Sequence, residues 1–351
     1  MIRSKDTIAI PPGATIKEQL IDRGMTQKEF ALRMDMSEKH ISRLINGEVQ
    51  LTQDVAGRLE SVLGISARFW NNLENIYREN LLKVKAENDM ADDIETAKSI
   101  PYNEMAKNRW VENTRSPLER VMNLRKFFEV AYLGLLNEPL IPGIACRKLG
   151  EGKTGDYYKL IVWAQRAKLE ARNIKTAPIN IQKLAEYIPD IRAMTIQNPE
   201  VFCPELRNKL AECGIALVFL PHIGGSFLHG ATFYDGRKIV VGMTVRGKYA
   251  DRFWFSLFHE LAHIIQGHIG QSEGTTDKDE SNADTYASNV LIPAAEFDAF
   301  TANNDFSKES IISFAESVGI DAGIVVGRLQ KEKYISFSLY GELKTKYELS
   351  A

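Results

Sequence analysis

Apolar residues recur at helical spacing along most of the chain, and the places where that period breaks divide it. Pro11-Pro12-Gly13 precedes a helix predicted over 15–23, which Gly24 ends. Thr26 caps a second helix, with Glu29 three residues on completing a capping box, and Phe30, Ala31 and Met34 face inward. Asp35-Met36 makes a tight turn. Ser37 caps a third helix running to about Ile45, where Asn46-Gly47 stops it, and a fourth fits 52–63 with Val55, Ala56, Leu59, Val62 and Leu63 on one face. Two short helices joined by a short turn and flanked by packing helices is the plan of a helix-turn-helix unit.

From 80 to 204 the pattern stays mostly helical, for example over 118–136 and 157–172, with breaks at Pro139, Pro142, Gly143 and 150–152. Trp110, Trp163, Phe127 and Phe128 fall within helical apolar spacing and are read as core. Helical spacing then gives way to short apolar runs: 215–220 is strand-like, and 230–234 and 238–243 flank the turn pair Asp235-Gly236 as a hairpin. An exposed edge of that small sheet could align an extended peptide. Helical spacing returns over 253–265, from Glu280 to about Ile292, over 310–318 and over 322–330, before a final strand-like 334–339. No internal repeat stands out.

The helix over 253–265 combines this periodicity with metal chemistry. In His259-Glu260-Leu261-Ala262-His263 the imidazoles lie one turn apart on one face and can share an ion, for which zinc suits. Glu260 beside them can take a proton from a water, the content of the H-E-x-x-H motif. The flanking residues are apolar nearly all round, so the helix should be buried. The plain alternative is a core helix whose histidines happen to fall four apart. A catalytic zinc site takes a third protein ligand, and Glu280 opens a second helix whose Ala283 and Ala287 share its face and allow close packing. Asp284, one turn on, can accept the outer N–H of a zinc-bound histidine. His268 is the rival third ligand, ranked below Glu280 because it follows Gly267, where the helix should end. His222 and His229 lie in a glycine-rich loop and read first as surface residues. The polar loop 270–279 should be mobile and able to gate the site.

In the N-terminal unit the third helix is the candidate reader. Ser37, Lys39, Ser42 and Arg43 are its exposed DNA-contact candidates, alongside Glu38 and His40, while Gln27 and Lys28 could meet phosphate. Arg43 could grip a guanine in two places. Against this, 14–50 carries six basic and six acidic residues. A helical bundle used for protein contact therefore stays open as a reading.

At 351 residues the chain can hold two or three domains. The formal net charge of −2 gives no global reason for nucleic acid or an acidic membrane, so any DNA binding must come from local charge. Cys146, Cys203 and Cys213 form no metal-type cluster and are expected to be reduced. Neither a signal-peptide core nor an apolar run of about 18 residues is visible, which predicts a cytoplasmic protein with no membrane partner.

Two resemblances add to this. The stretch 214–293 resembles the ImmA/IrrE group of bacterial metallo-endopeptidases. Glu280-x-x-Ala283-Asp284, Tyr286-Ala287 and Leu291-Ile292-Pro293 look like that group's E-x-x-A, F-A and L-L-x-P, with Tyr for the usual Phe. The run from Arg246-Gly247-Lys248 to Asp251-Arg252-Phe253-Trp254-Phe255 is similar to members fused to a DNA-binding domain. Pro12-Gly13, Gly24-x-Thr26-Gln27, Phe30-Ala31, Asn46-Gly47, Leu51-Thr52, Ala56-x-x-Leu59 and Phe69-Trp70-x-x-Leu73 resemble the XRE-type helix-turn-helix of HigA-class antitoxins over 11–77.

These resemblances imply Zn2+ held by His259, His263 and Glu280, with Glu260 as catalytic base. They also imply a regulatory protein as substrate, of repressor or antitoxin type. The expected fold is α+β and predominantly helical: a helix-turn-helix domain over 1–79, a helical connecting region over 80–204, a zincin-like peptidase domain over 205–300 and its cap over 301–351. Operator DNA, a protein substrate and a second copy of the chain are the expected partners. The rival is an antitoxin-like DNA-binding repressor whose metal domain senses an ion or partner without cutting. Glu260 weighs against it, because a purely structural zinc site needs no base.

Overall fold

The computed structural model describes residues 2–4, 7–137, 154–224, 230–244, 248–270 and 275–348. Cys146, His229, Arg246, Gly247, the breaks at 139–152 and part of the 270–279 loop lie outside them. The chain forms two compact units, Met1–Glu95 and Thr96–Ala351.

The first unit opens with β1 (Ile2–Arg3) paired antiparallel to β2 (Ile8–Ala9). Then come α1 (Gly13–Asp22), α2 (Gln27–Arg33), α3 (Glu38–Ile45), α4 (Gln53–Leu63) and the long α5 (Ala67–Ser99), whose residues from Thr96 on belong to the second unit. Polar caps start three of them: Thr26, Ser37 and Thr52 accept from the backbone N–H groups of Glu29, His40 and Val55. The expected capping box at α2 is half formed, because the Glu29 carboxylate turns to Arg33, 2.7 Å away, instead of back to Thr26. Asp35 makes the turn between α2 and α3 with φ +53°. Ile16, Phe30, Met34, Ile41, Leu59 and Trp70 form the buried centre.

The second unit contains α6 (Tyr102–Lys107), α7 (Pro117–Phe128), α8 (Thr154–Ala171), α9 (Ile181–Ala193) and α10 (Pro199–Glu212). The helix expected over 118–136 stops at Phe128, where Glu129 takes a left-handed φ of +57° and its carboxylate pairs with Arg172. A three-stranded sheet follows: β3 (Ile215–Phe219), β4 (Gly230–Asp235) and β5 (Lys238–Met243), in the order β3-β5-β4. β5 runs parallel to β3, and β4 pairs with it as the expected hairpin, Asp235 opposite Lys238. Trp163, Phe127 and Phe128 are buried as core; Trp110 is half-buried.

Five helices complete the unit: α11 (Ala250–Ile265), α12 (Asp277–Leu291), α13 (Ala294–Ala302), α14 (Lys308–Val318) and α15 (Ala322–Lys331). α11 is buried nearly all round, with Trp254, Leu257, Phe258 and Leu261 inaccessible at the centre of a core that also takes in α9 and α10. The segment 334–339 is not the expected strand. Its N–H groups at Tyr334 and Ile335 close onto the Leu329 carbonyl at the end of α15, and Gln330 donates to the Phe337 and Leu339 carbonyls. These bonds take the place of a strand partner. No single helix among the described residues is long and apolar enough to cross a membrane.

Candidate functional site

α11 and α12 pack side by side, and the contact is close because Ala283 and Ala287 are small and fully buried. That closeness brings Glu280 over the histidine pair. Nε2 of His259 and Nε2 of His263 lie 3.1 Å apart, and the Glu280 carboxylate oxygens lie 3.2 Å from the first and 3.5 Å from the second. Ligands about 2 Å from one tetrahedral ion stand about 3.3 Å from each other, so the three donors fit a zinc ion as they are placed. Two imidazole nitrogens and a carboxylate converging on one point is a donor set with zinc's chemistry.

Each ligand is held from behind. The outer Nδ1 of His259 is 2.9 Å from Asp284 Oδ1, in the arrangement that sets a ligand histidine's tautomer. Burial pulls the His259 imidazole down, but its hydrogen bonds to Asp284 and Glu280 outweigh this and bring it up to about 9. The same contact with His259 holds the Asp284 carboxyl below its ordinary value, with Lys331 adding to it from 3.7 Å. His268, the rival third ligand, turns instead to the outer nitrogen of His263, Nδ1 to Nδ1 at 3.1 Å, and its far nitrogen meets Asp279 at 3.4 Å. Thr275 donates to Glu280 at 2.6 Å. Asp279 completes a capping box with Thr276 at the start of α12, which fixes Glu280 in the first turn of that helix rather than at its opening.

Glu260, 6% exposed, lines the cleft that His259 also lines. Its carboxylate accepts a hydrogen bond from Thr232 of β4 at 2.6 Å, and Gly230 on the same strand leaves it room: a Cβ there would lie 2.8 Å from Glu260 Cγ. Thr232 and Gly230 escape sequence reasoning because they reach Glu260 across the fold, from a strand with no spacing rule relative to the helix. His222 is half-buried and is not one of the three donors of the metal group. Cys203 and Cys213 are free thiols that burial pushes up.

In the first unit, Gln27, Lys28, Ser37, Lys39 and Arg43 are exposed and Ser42 is half-buried, while Ile41 and Leu44 face the core. The Ser37 hydroxyl is taken by its capping bond to His40 N–H. Arg43 rests 3.5 Å from Glu48, both half exposed, and Lys39 stands one turn earlier on the same face.

The helix-turn-helix family model matches residues 16–70, and the IrrE N-terminal-like domain model matches residues 246–330. An Escherichia coli (strain K12) protein, the uncharacterized HTH-type transcriptional regulator YddM, is 36% identical over 66 residues, which are 19% of this chain and 70% of that protein. The chain belongs to the helix-turn-helix regulators and carries an IrrE-like peptidase domain. An addiction module antidote protein of the HigA family from Coxiella burnetii is 24% identical, with 24% of this chain covering 94% of it at a TM-score of 0.22. A putative antidote protein of a plasmid maintenance system from Nostoc punctiforme PCC 73102 is 32% identical, with 23% of this chain covering 92% of it, also at 0.22. The matched IrrE-like segment of this helix-turn-helix regulator runs from α11 through α14 into α15, stopping one residue short of its end, and so contains every member of the metal group.

Proposed function

We propose that this helix-turn-helix regulator is also a zinc-dependent endopeptidase that hydrolyses a regulatory protein of repressor or antitoxin type. The observation that carries the reading is the convergence of His259, His263 and Glu280 beside a carboxylate, Glu260, that is positioned yet takes no place among the ligands. A zinc ion held by those three residues supplies Lewis acidity to a water and to a peptide carbonyl.

The chain's own residues do the rest. Asp284 and His268 fix the ring planes of His259 and His263 by engaging their outer nitrogens. Glu260 takes a proton from the attacking water on a carboxylate oxygen, holds it, and delivers it to the leaving amine nitrogen. Thr232 aims that carboxylate. β4 lies at one edge of the sheet, and no strand among the described residues covers its outer side. A substrate segment can pair there in extended form and pass Glu260 at a fixed height.

In the first unit, α3 is the reading helix. Lys39 and Arg43 project from it as phosphate and guanine contacts, and Gln27 and Lys28 at the start of α2 meet the backbone, with Ser37 and Ser42 at the margin of the interface.

The decisive experiment incubates cellular proteins with the zinc-loaded full chain and with Glu260→Gln, and maps new N-termini. New termini are expected with the wild type alone, at a rate at least about 10²-fold above the variant. The same termini from both at equal rates would mean that Glu260 is not the base. For the DNA site, Arg43→Ala is expected to cost about 1–3 kcal/mol and to relax one base preference at several salt concentrations.

A further inference from the structure

The cleft that Glu260 and His259 line does not end at them. Its volume is about 660 Å³, and it runs back along one stripe of α11 through Ser256, Phe255, Arg252 and Asp251, with α12 and α15 as the opposing walls. From Glu260 back to Arg252 is eight residues of helix, about 12 Å at 1.5 Å per residue. An extended peptide advances about 3.3 Å per residue, so this length holds three to four residues beyond the reacting bond.

The chemistry of the walls changes along that path. The floor is apolar, made by Phe255, Leu291, Ile292 and Ile324. Most of the charges in the walls are already matched: Lys344 sits 2.7 Å from Asp251, Arg328 sits 2.9 Å from Glu332, and Lys331 spans the Phe255 ring to reach toward Asp284. Two cations in the walls are left over against one carboxylate, Glu260, which bonds Thr232 at the reacting end. Arg252 and Lys333 are exposed, and neither has a carboxylate partner among the described residues. Nucleic acid demands a row of cations and offers little to an apolar floor. A peptide with an apolar side chain and a nearby carboxylate matches both the floor and the surplus charge.

We infer that this cleft is the substrate channel of the C-terminal unit, and that it selects a peptide bearing an acidic side chain three or four residues from the scissile bond, with apolar side chains between. The inference rests on the endopeptidase reading for the position of that bond, while the acidic preference rests on Arg252 and Lys333 alone. Both cations are at the surface, outside the metal group and the core, so reversing them leaves the fold and the metal group intact.

The test uses the full chain as Glu260→Gln, with and without zinc, and fluorescein-labelled ten-residue peptides of Leu, Ala and Ser in which one position is Glu, Gln or Lys. Anisotropy is expected to show the Glu peptides binding at least about fivefold tighter than their Gln and Lys counterparts, with the difference shrinking as salt rises. The pair Arg252→Glu and Lys333→Glu is expected to reverse the order in favour of Lys. Equal binding of the three peptides, or a preference that survives the double reversal, overturns the inference. Zinc-loaded wild type then cuts the same library, and the Glu position in the products should lie three or four residues from the new terminus. Cleavage with no such preference sinks the channel and leaves the peptidase standing. A binding preference with no cleavage sinks the peptidase reading and leaves an acidic-peptide site.

Discussion

A single missing Cβ sets the position of Glu260. Gly230 faces the carboxylate at a distance where any side chain would overlap it, and the overlapped atoms belong to a flexible side chain, so an added methyl displaces Glu260 and spares the strand. If the proposed endopeptidase mechanism holds, Gly230→Ala is expected to lower peptide turnover by about 10²-fold, the cost of misplacing the proposed base. Zinc content should stay that of the wild type and stability should change by no more than about 1 kcal/mol. Thr232→Val removes the hydroxyl that aims the same carboxylate and should cost about tenfold, consistent with the loss of one hydrogen bond to a charged group. Measuring kcat beside zinc content and the melting temperature separates the two effects from unfolding. Turnover at the wild-type rate in both variants would remove β4 from the mechanism.

Between elements, the close approach of α11 and α12 was legible because both helices announce themselves locally. The i,i+4 histidines, the alanines at 283 and 287 and the position of Glu280 all follow from helical period, and together they fix which faces meet. What was not legible came from competition or from distance. The alternation in 334–339 resembles a strand, yet Gln330 and the Leu329 carbonyl take up its polar groups first. The helix from Pro117 ends at Glu129 because its backbone turns left-handed there, which no apolar spacing reveals. Thr232 finds its partner through a tertiary contact that carries no sequence signal, whereas His268 meets His263 through the turn that follows α11.

One such contact sets how α11 is anchored. The Tyr347 hydroxyl accepts from Trp254 Nε1 at 3.0 Å, and the chain around it bonds back to Lys248 and Ala250 at the start of the helix. Burial pushes the Tyr347 phenol up to about 12, against the hydrogen bond from Trp254. A folded-state value raised above the unfolded value of about 10 means that the phenol's contribution is complete below pH 10. It is lost progressively as pH rises toward 12, and the loss amounts to roughly 2–3 kcal/mol. Tyr347→Phe is expected to flatten the stability curve across that window. At neutral pH it should cost about 1–3 kcal/mol, since the buried indole N–H is left without its acceptor. Denaturant unfolding at pH 7, 10 and 11.5 checks both signs, and a variant that loses stability as steeply as wild type above pH 10 would show that another group titrates.

At the scale of the whole chain, the proposed zinc site and the proposed DNA interface belong to different compact units, so each ligand stabilises the unit that holds its residues. Binding to the folded state alone adds RT ln(1 + [L]/Kd), about 2.7 kcal/mol at a hundredfold excess over Kd. For the full chain, zinc at that excess should raise the unfolding transition reported by Trp254 and Trp163, which lie in the C-terminal cores. A chelator should return it to the metal-free value. Operator DNA should raise the transition reported by Trp70, the tryptophan buried in the N-terminal core. Single-tryptophan versions, made by replacing the other tryptophans with Phe, assign each transition to its unit. Glu260→Gln retains every zinc ligand and should show the full zinc shift while cutting nothing, whereas Glu280→Gln should lose most of the shift together with cleavage. If zinc moves the Glu280→Gln protein as far as wild type, Glu280 is not a ligand and the site must be rebuilt around the two histidines.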